Sequence, residues 1–254
     1  GLRTWVTLPG DRLDDLVALG LMTGLGNDRL RLGHVKFFSD GGVGARTAWM
    51  IDPFRDTGQC GMPLMEMADL ADRIKRADTA GLSVMVHAVG DRANRELIGI
   101  FEGLEKDRRR SGRPAPAIPH RIEHVQMIRL EDIERLSRLN IALCASPANL
   151  LLDINLIDTA VGDPGSGAYA LRPLMDTGAA VMFSSDCPVC DPSPLLGIHA
   201  AVTRQRIDGT PAGGWYPENR VTAVEALRAY TATPAAAHRA PDLGIIAPGR
   251  KADL

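Results

Sequence analysis

Short apolar runs alternate with amphipathic stretches along most of the chain. The runs fall at residues 3–8, 33–38, 83–88, 119–124, 141–146 and 180–185, each four to six β-prone residues leading into a Gly, Asp or polar turn. Helical periodicity fills the intervals at about 11–22, 64–80, 91–109, 130–139 and 168–177. Runs apolar on both faces predict buried parallel strands, and their alternation with helices predicts an α/β fold. Local signals support the helices. Asp91 can cap RANRELIGIFEGLEKD, Thr222 with Glu225 forms a potential capping box for AVEALRAYTA, and Gly81 follows the helix ending near Ala80. Three stretches, 41–63, 147–167 and 187–220, read as long irregular segments after strands, where a parallel barrel builds its active site.

Four of the runs carry an ionisable residue at or near the downstream end: Lys36 in HVKFFSDGG, His87 in LSVMVHAVGD, His124 in HRIEHVQ and Asp186 in AAVMFSSDCP. Inside a parallel sheet covered on both faces such groups are costly unless paired or bound to a metal, so four in equivalent positions point to one shared site. A buried lysine loses basicity, which favours the neutral amine needed by a Schiff base or a carbamate, and Lys36 alone does not choose between them. His87 is read equally well as a core histidine bonded to the backbone, until its partners are counted. His120, Glu123 and His124 match the H-x-x-E-H spacing of inverted zinc peptidases. That pattern requires a helix, and the Pro-rich segment before it predicts a strand. Asp186 could be a turn aspartate, but beside two histidines it can ligate a metal and accept a proton from water.

Composition narrows the picture. With 254 residues and 45% hydrophobic content, one main domain is expected. Basic and acidic residues number 29 and 31, for a net charge of −2, and the one basic run, Lys106–Arg110, reads as a solvated helix end, so no nucleic-acid partner is expected. No apolar stretch approaches the roughly 20 residues of a membrane span, and the N-terminus lacks signal-peptide character; no membrane partner and a cytoplasmic location are expected. Cys60, Cys144, Cys187 and Cys190 suggest free thiols in a reducing compartment. The C-x-x-C pair Cys187 and Cys190 has no second C-x-x-C and contains Pro188, which argues against a redox or structural-zinc role.

The segments KFFSDGGVGARTAWM, VMVHAVGDRANRELIGIFE, RIEHVQMIRLEDIERLSRLNIALCASP, SSDCPV and EALRAYTATPAAAH, with the later GIIAPGRKADL, occur in order over nearly the whole chain. Together they resemble the amidohydrolase superfamily, in the branch containing YtcJ-like hydrolases and N-substituted formamide deformylase. The resemblance implies a distorted (β/α)8 TIM-type barrel, a mono- or binuclear metal centre that is usually zinc, and a small β-sandwich. Lys36 matches the fourth-strand lysine, commonly carboxylated, His87 and His124 the histidines of the fifth and sixth strands, and Asp186 the aspartate of the eighth, with IALCAS as the seventh. It implies hydrolysis of a small-molecule amide or other non-peptide C–N bond by metal-activated water, with Asp186 moving the proton. Asp91 and Arg92, after His87, could touch substrate; helix capping by Asp91 and a surface salt bridge from Arg92 are the plainer alternatives.

One element of that pattern is absent, because no two histidines here are separated by one residue, whereas the superfamily opens its site with His-x-His. The six strands are then expected to be the third to eighth of a partial barrel over 1–240, with 241–254 beginning the return to the sandwich. Such a chain is expected to hold metal partly or not at all, to hydrolyse slowly or be inactive, and to need a homo-oligomer or a missing N-terminal segment over its open sheet edges. A Schiff-base lyase or aldolase using Lys36, and a non-catalytic fragment with a structural role only, are the competing functions.

Overall fold

The computed structural model describes residues 2–164 and 167–253, so Gly165 and Ser166 of the 147–167 stretch lie outside the described residues. Six strands form one all-parallel sheet in sequential order: β1 (Thr4–Pro9), β2 (Leu30–Phe38), β3 (Val84–Ala88), β4 (His120–His124), β5 (Ile141–Ala145) and β6 (Ala180–Phe183). Sequential order with helical crossovers is the topology of a (β/α) barrel, here a partial one.

The helices α1 (Leu13–Ala18), α2 (Met67–Thr79), α3 (Asp91–Ser111), α4 (Leu130–Ser137) and α6 (Leu171–Asp176) return the chain between strands. Val35 and Phe37 of β2, Val84 and Val86 of β3, Ile122 of β4 and Leu143 of β5 pack with Leu70, Ile74, Leu97 and Phe101 in the main core. Because side chains alternate along a strand, Lys36, His87 and Cys144 are left to the opposite, inner face, where Cys144 meets Ala142 and Met182.

The stretches read as irregular contain two helices, α5 (Leu150–Ala160) and α7 (Pro194–Thr203). Both are apolar nearly all round (LLLDINLIDTA, PLLGIHAAVT), so no amphipathic stripe marks them. Each buries one side, Leu150, Ile154, Ile157 and Ala160 of α5 and Gly197, Ala200 and Ala201 of α7, while Leu152 and Leu195 stay exposed. Phe54, Met50, Leu150, Ile154, Ile157, Tyr169 and Trp215 form a second core that packs the three long segments together. Arg204 ties it: fully buried, its guanidinium donates to the carbonyls of Trp215 (2.6 Å), Tyr169 (2.9 Å) and Ala168 (3.2 Å).

Thr222 does cap α8 (Ala223–Tyr230) in a reciprocal capping box with Glu225, and α9 (Ala232–Ala237) follows a break at Thr231. Gly81 stops α2 with φ +79°, a conformation only glycine takes cheaply. Asp91 does not cap α3. Gly90 holds the N-cap position without a side-chain bond, and Asp91 is the first helical residue. The chain ends lie close together, Arg3 bonding Asp253 at 2.6 Å. Among the described residues no helix is long and apolar enough to cross a membrane.

Candidate active site

His87 and His124 come from neighbouring strands. In the β3–β4 register His87 pairs with Glu123 and Ala88 with His124. His124 ends its strand with φ +72° and Val125 follows at +45°, a left-handed pair of non-glycine residues that turns the chain abruptly. The two imidazoles then meet edge to face, 4.5 Å between centroids at 68°. His120, four residues earlier, faces the helices instead, where its Nδ1 accepts from the Val84 amide at 3.1 Å and its Nε2 lies 3.1 Å from Asp78. The H-x-x-E-H spacing is therefore carried by a strand and its histidines occupy separate environments.

Burial pushes His124 down to about 3, helped by the charges of His87 and Lys36. Burial also lowers His87, while its bond to Gly41 opposes the change. Both rings are neutral at physiological pH. His87 Nε2 lies 3.1 Å from the Gly41 carbonyl, so it carries the proton and Nδ1 keeps its lone pair. Lys36 is lowered by burial first and by Arg121, against the raising effect of Glu123 and Asp186. Its ammonium lies over the Phe38 ring, 5.0 Å from the centroid.

Asp186 lies three residues past β6 with φ +56°. Its Oδ2 accepts from Asn149 Nδ2 at 3.0 Å, and Asn149 sits in the short 3-10 turn after β5. Thus His87 and His124 touch, Lys36 acts on both through its charge, and Asp186 acts on His87. Among the described residues no group of three or more His, Cys, Asp and Glu side chains is arranged to hold a metal ion.

Asp91 and Arg92 are engaged within the protein. Asp91 Oδ1 accepts from the Ile51 amide at 2.8 Å and Oδ2 from Arg129 Nε at 2.6 Å, fastening the 41–63 segment to α3. Arg92 stacks on Trp49, 4.7 Å from the ring centroid, in place of the surface salt bridge considered from sequence. All four cysteines are free thiols.

Sequence reasoning did not place Asp40 at the site. Its carboxylate is fully buried and accepts from the amides of Val89 (3.0 Å), Gly90 (2.8 Å) and Trp49 (2.8 Å), with His87 Nε2 3.8 Å away. Desolvation raises it to about 6 against the pull of those bonds. It joins the loops that follow β2 and β3, directly beneath His87. The Asp-Gly-Gly step after β2 is the signal that could have marked it.

A profile of the amidohydrolase family matches residues 2–254. The chain is 31% identical to the protein LONG AFTER FAR-RED 3 of Arabidopsis thaliana, over 100% of this chain and 43% of the relative. It is 28% identical to the N-substituted formamide deformylase of Arthrobacter pascens, over 89% of this chain and 40% of that protein. An uncharacterized metal-dependent hydrolase from Pyrococcus furiosus superposes with a TM-score of 0.83 at 32% identity, covering 98% of this chain and 49% of that one. The chain spans somewhat under half the length of these proteins. A profile match over nearly every residue, on a sequential parallel (β/α) sheet, places the chain in the amidohydrolase family.

Proposed function

We propose that this site serves hydrolysis of a small-molecule amide or related non-peptide C–N bond, with a divalent ion, zinc, held by His87, His124, Lys36 and Asp186. The observation that carries the reading is the pair of neutral imidazoles, 4.5 Å apart, beside a lysine whose charge burial disfavours. The chemistry of the two imidazoles suits such an ion. Neutral imidazole is a good zinc ligand, and Gly41 fixes the tautomer that leaves His87 Nδ1 able to coordinate. Lys36 would contribute after its neutral amine adds CO2 and releases a proton, which turns a cationic side chain into a carboxylate donor.

When bound, the metal supplies a Lewis acid that polarises the carbonyl and makes water acidic enough to attack at neutral pH. Asp186 would take the proton from that water and pass it to the leaving nitrogen, which balances the reaction without a co-reactant. The packed segments 41–63, 147–167 and 187–220 would surround the substrate. Asp91 and Arg92, held by Arg129 and Trp49, would act there by fixing the wall behind His87.

A second chain, or further residues of the same protein, would cover the open edges of β1 and β6. Val6 of β1, 37% exposed, is an apolar side chain such a partner would bury.

The test is hydrolysis of N-benzylformamide with and without added zinc. Turnover that requires zinc and is lost in Asp186→Asn supports the reading. No turnover at any zinc level, or turnover surviving in Asp186→Asn, overturns it.

A further inference from the structure

Asp186 is backed by a two-step hydrogen-bond chain that the reaction itself does not require. Asn149 Nδ2 donates to Asp186 Oδ2 at 3.0 Å, and Cys190 Sγ donates to Asn149 Oδ1 at 3.1 Å. Asn149 is only 8% exposed and Cys190 is half-buried, so both links are largely removed from water. A carboxamide looks nearly the same from either end, and its orientation is set by its neighbours. Here Asp186 specifies one orientation and Cys190 favours the same one. Turning the amide over would aim Oδ1 at the Asp186 carboxylate, losing that bond and adding a repulsion, and would exchange the S–H···O bond for a weaker N–H···S contact.

We propose that Asn149 is the positioning residue for Asp186 and that the Cys190 thiol locks the Asn149 amide in its donating orientation. The proposal rests on the assignment of Asp186 as proton carrier. Asp186 has its backbone in the left-handed region, which fixes the direction of Cα–Cβ but leaves the carboxylate free to rotate. Bonding Oδ2 to Asn149 stops that rotation and leaves Oδ1 to face the reacting atoms. Burial and the neighbouring charges of Asp186 and Asp153 keep Cys190 protonated, so its donor is present throughout the neutral range. The two arms of the chain come from the 3-10 turn after β5 and the loop after β6, and Asn149 is the cross-link between them. A thiol placed this way also makes the site sensitive to alkylation or oxidation at Cys190, because either removes the S–H.

The test has one readout independent of turnover and one dependent on it. In protein labelled with 15N-asparagine, the side-chain amide resonance of Asn149 is expected to shift in Asp186→Ala and to broaden or double in Cys190→Ala as the amide begins to flip. A resonance unmoved by both substitutions overturns the proposal, whether or not the protein hydrolyses anything. In zinc-loaded protein acting on N-benzylformamide, Asn149→Asp keeps the acceptor for Cys190 but loses the donor to Asp186. It is expected to lower kcat about 10–100-fold with KM within about threefold, the range seen when a supporting partner of a site residue is removed. A kcat within about twofold of the unmodified protein in Asn149→Asp, or a loss confined to KM, overturns the proposal. Absence of turnover in the unmodified protein speaks against the hydrolase reading alone, and the resonance readout still decides the positioning role.

Discussion

His87 and His124 lie edge to face across two adjacent strands, 4.5 Å between ring centroids, and neither ring is charged. Two neutral imidazoles in this arrangement bring little packing energy that apolar side chains would not supply better, and their desolvation is a cost. The left-handed backbone at His124 and Val125 adds a further cost of order 1–3 kcal/mol per residue. Under the proposed reading, a metal ion uses their lone pairs and offsets these costs.

Asp40 should be among the residues whose loss is most damaging close to the site. Its Oδ2 accepts from two backbone amides, Gly90 and Trp49, and Oδ1 from a third, Val89. In Asp40→Asn the amide nitrogen must face at least one of these donors, leaving buried N–H groups unpaired. Urea unfolding is expected to show a loss of about 2–4 kcal/mol. A change below about 0.5 kcal/mol would contradict the structure of this loop junction.

Acid stability follows from two histidines that the proposed site does not use, His34 on β2 and His120 on β4. Burial holds His34 well below its ordinary value near 6.5, with only the Pro119 carbonyl opposing, and burial lowers His120 despite Asp78. Below about pH 6.5 the unfolded chain takes up protons that these rings refuse in the folded state. The stability they contribute is therefore complete above pH 6.5 and declines as pH falls below it. Denaturant midpoints between pH 7.5 and 5 should drop, with a shallower slope in His34→Gln, which retains an N–H for Pro119. A midpoint flat across this window, or a slope unaltered in the variant, would contradict the burial of these rings.

Arg204 tests the packed segments above the strands. Its guanidinium serves three backbone carbonyls with no carboxylate within bonding distance, so Arg204→Met preserves bulk but strands those acceptors in a buried position. The expected loss is about 2–4 kcal/mol by chemical denaturation, accompanied by faster proteolysis within 187–220. Unchanged stability would show that the second core does not depend on this clasp.

The strands were legible because buried parallel strands read as continuous apolar runs, against which the four proposed site residues, Lys36, His87, His124 and Asp186, stand out. Helices α5 and α7 were not, since apolar residues such as Leu152 and Leu195 also occupy their exposed sides and blur the period. Asp40 and Asn149 were hidden for a different reason. A turn aspartate and a loop asparagine are common for purely local causes, and only the fold brings Asp40 under His87 and Asn149 against Asp186. Asp91 shows the same limit from the other side, because its position suited a helix cap while its partners were Ile51 and Arg129, distant in sequence.

The central claim is that His87 and His124 are one metal-binding pair, and zinc titration followed by imidazole NMR resonances tests it most directly. The account predicts that zinc shifts the signals of His87 and His124 together, leaves those of His34, His120 and His238 in place, and moves none of the remaining histidine signals in a His87→Ala, His124→Ala double variant. Zinc that shifts no histidine, or that acts on the other rings while this pair stays still, would contradict it.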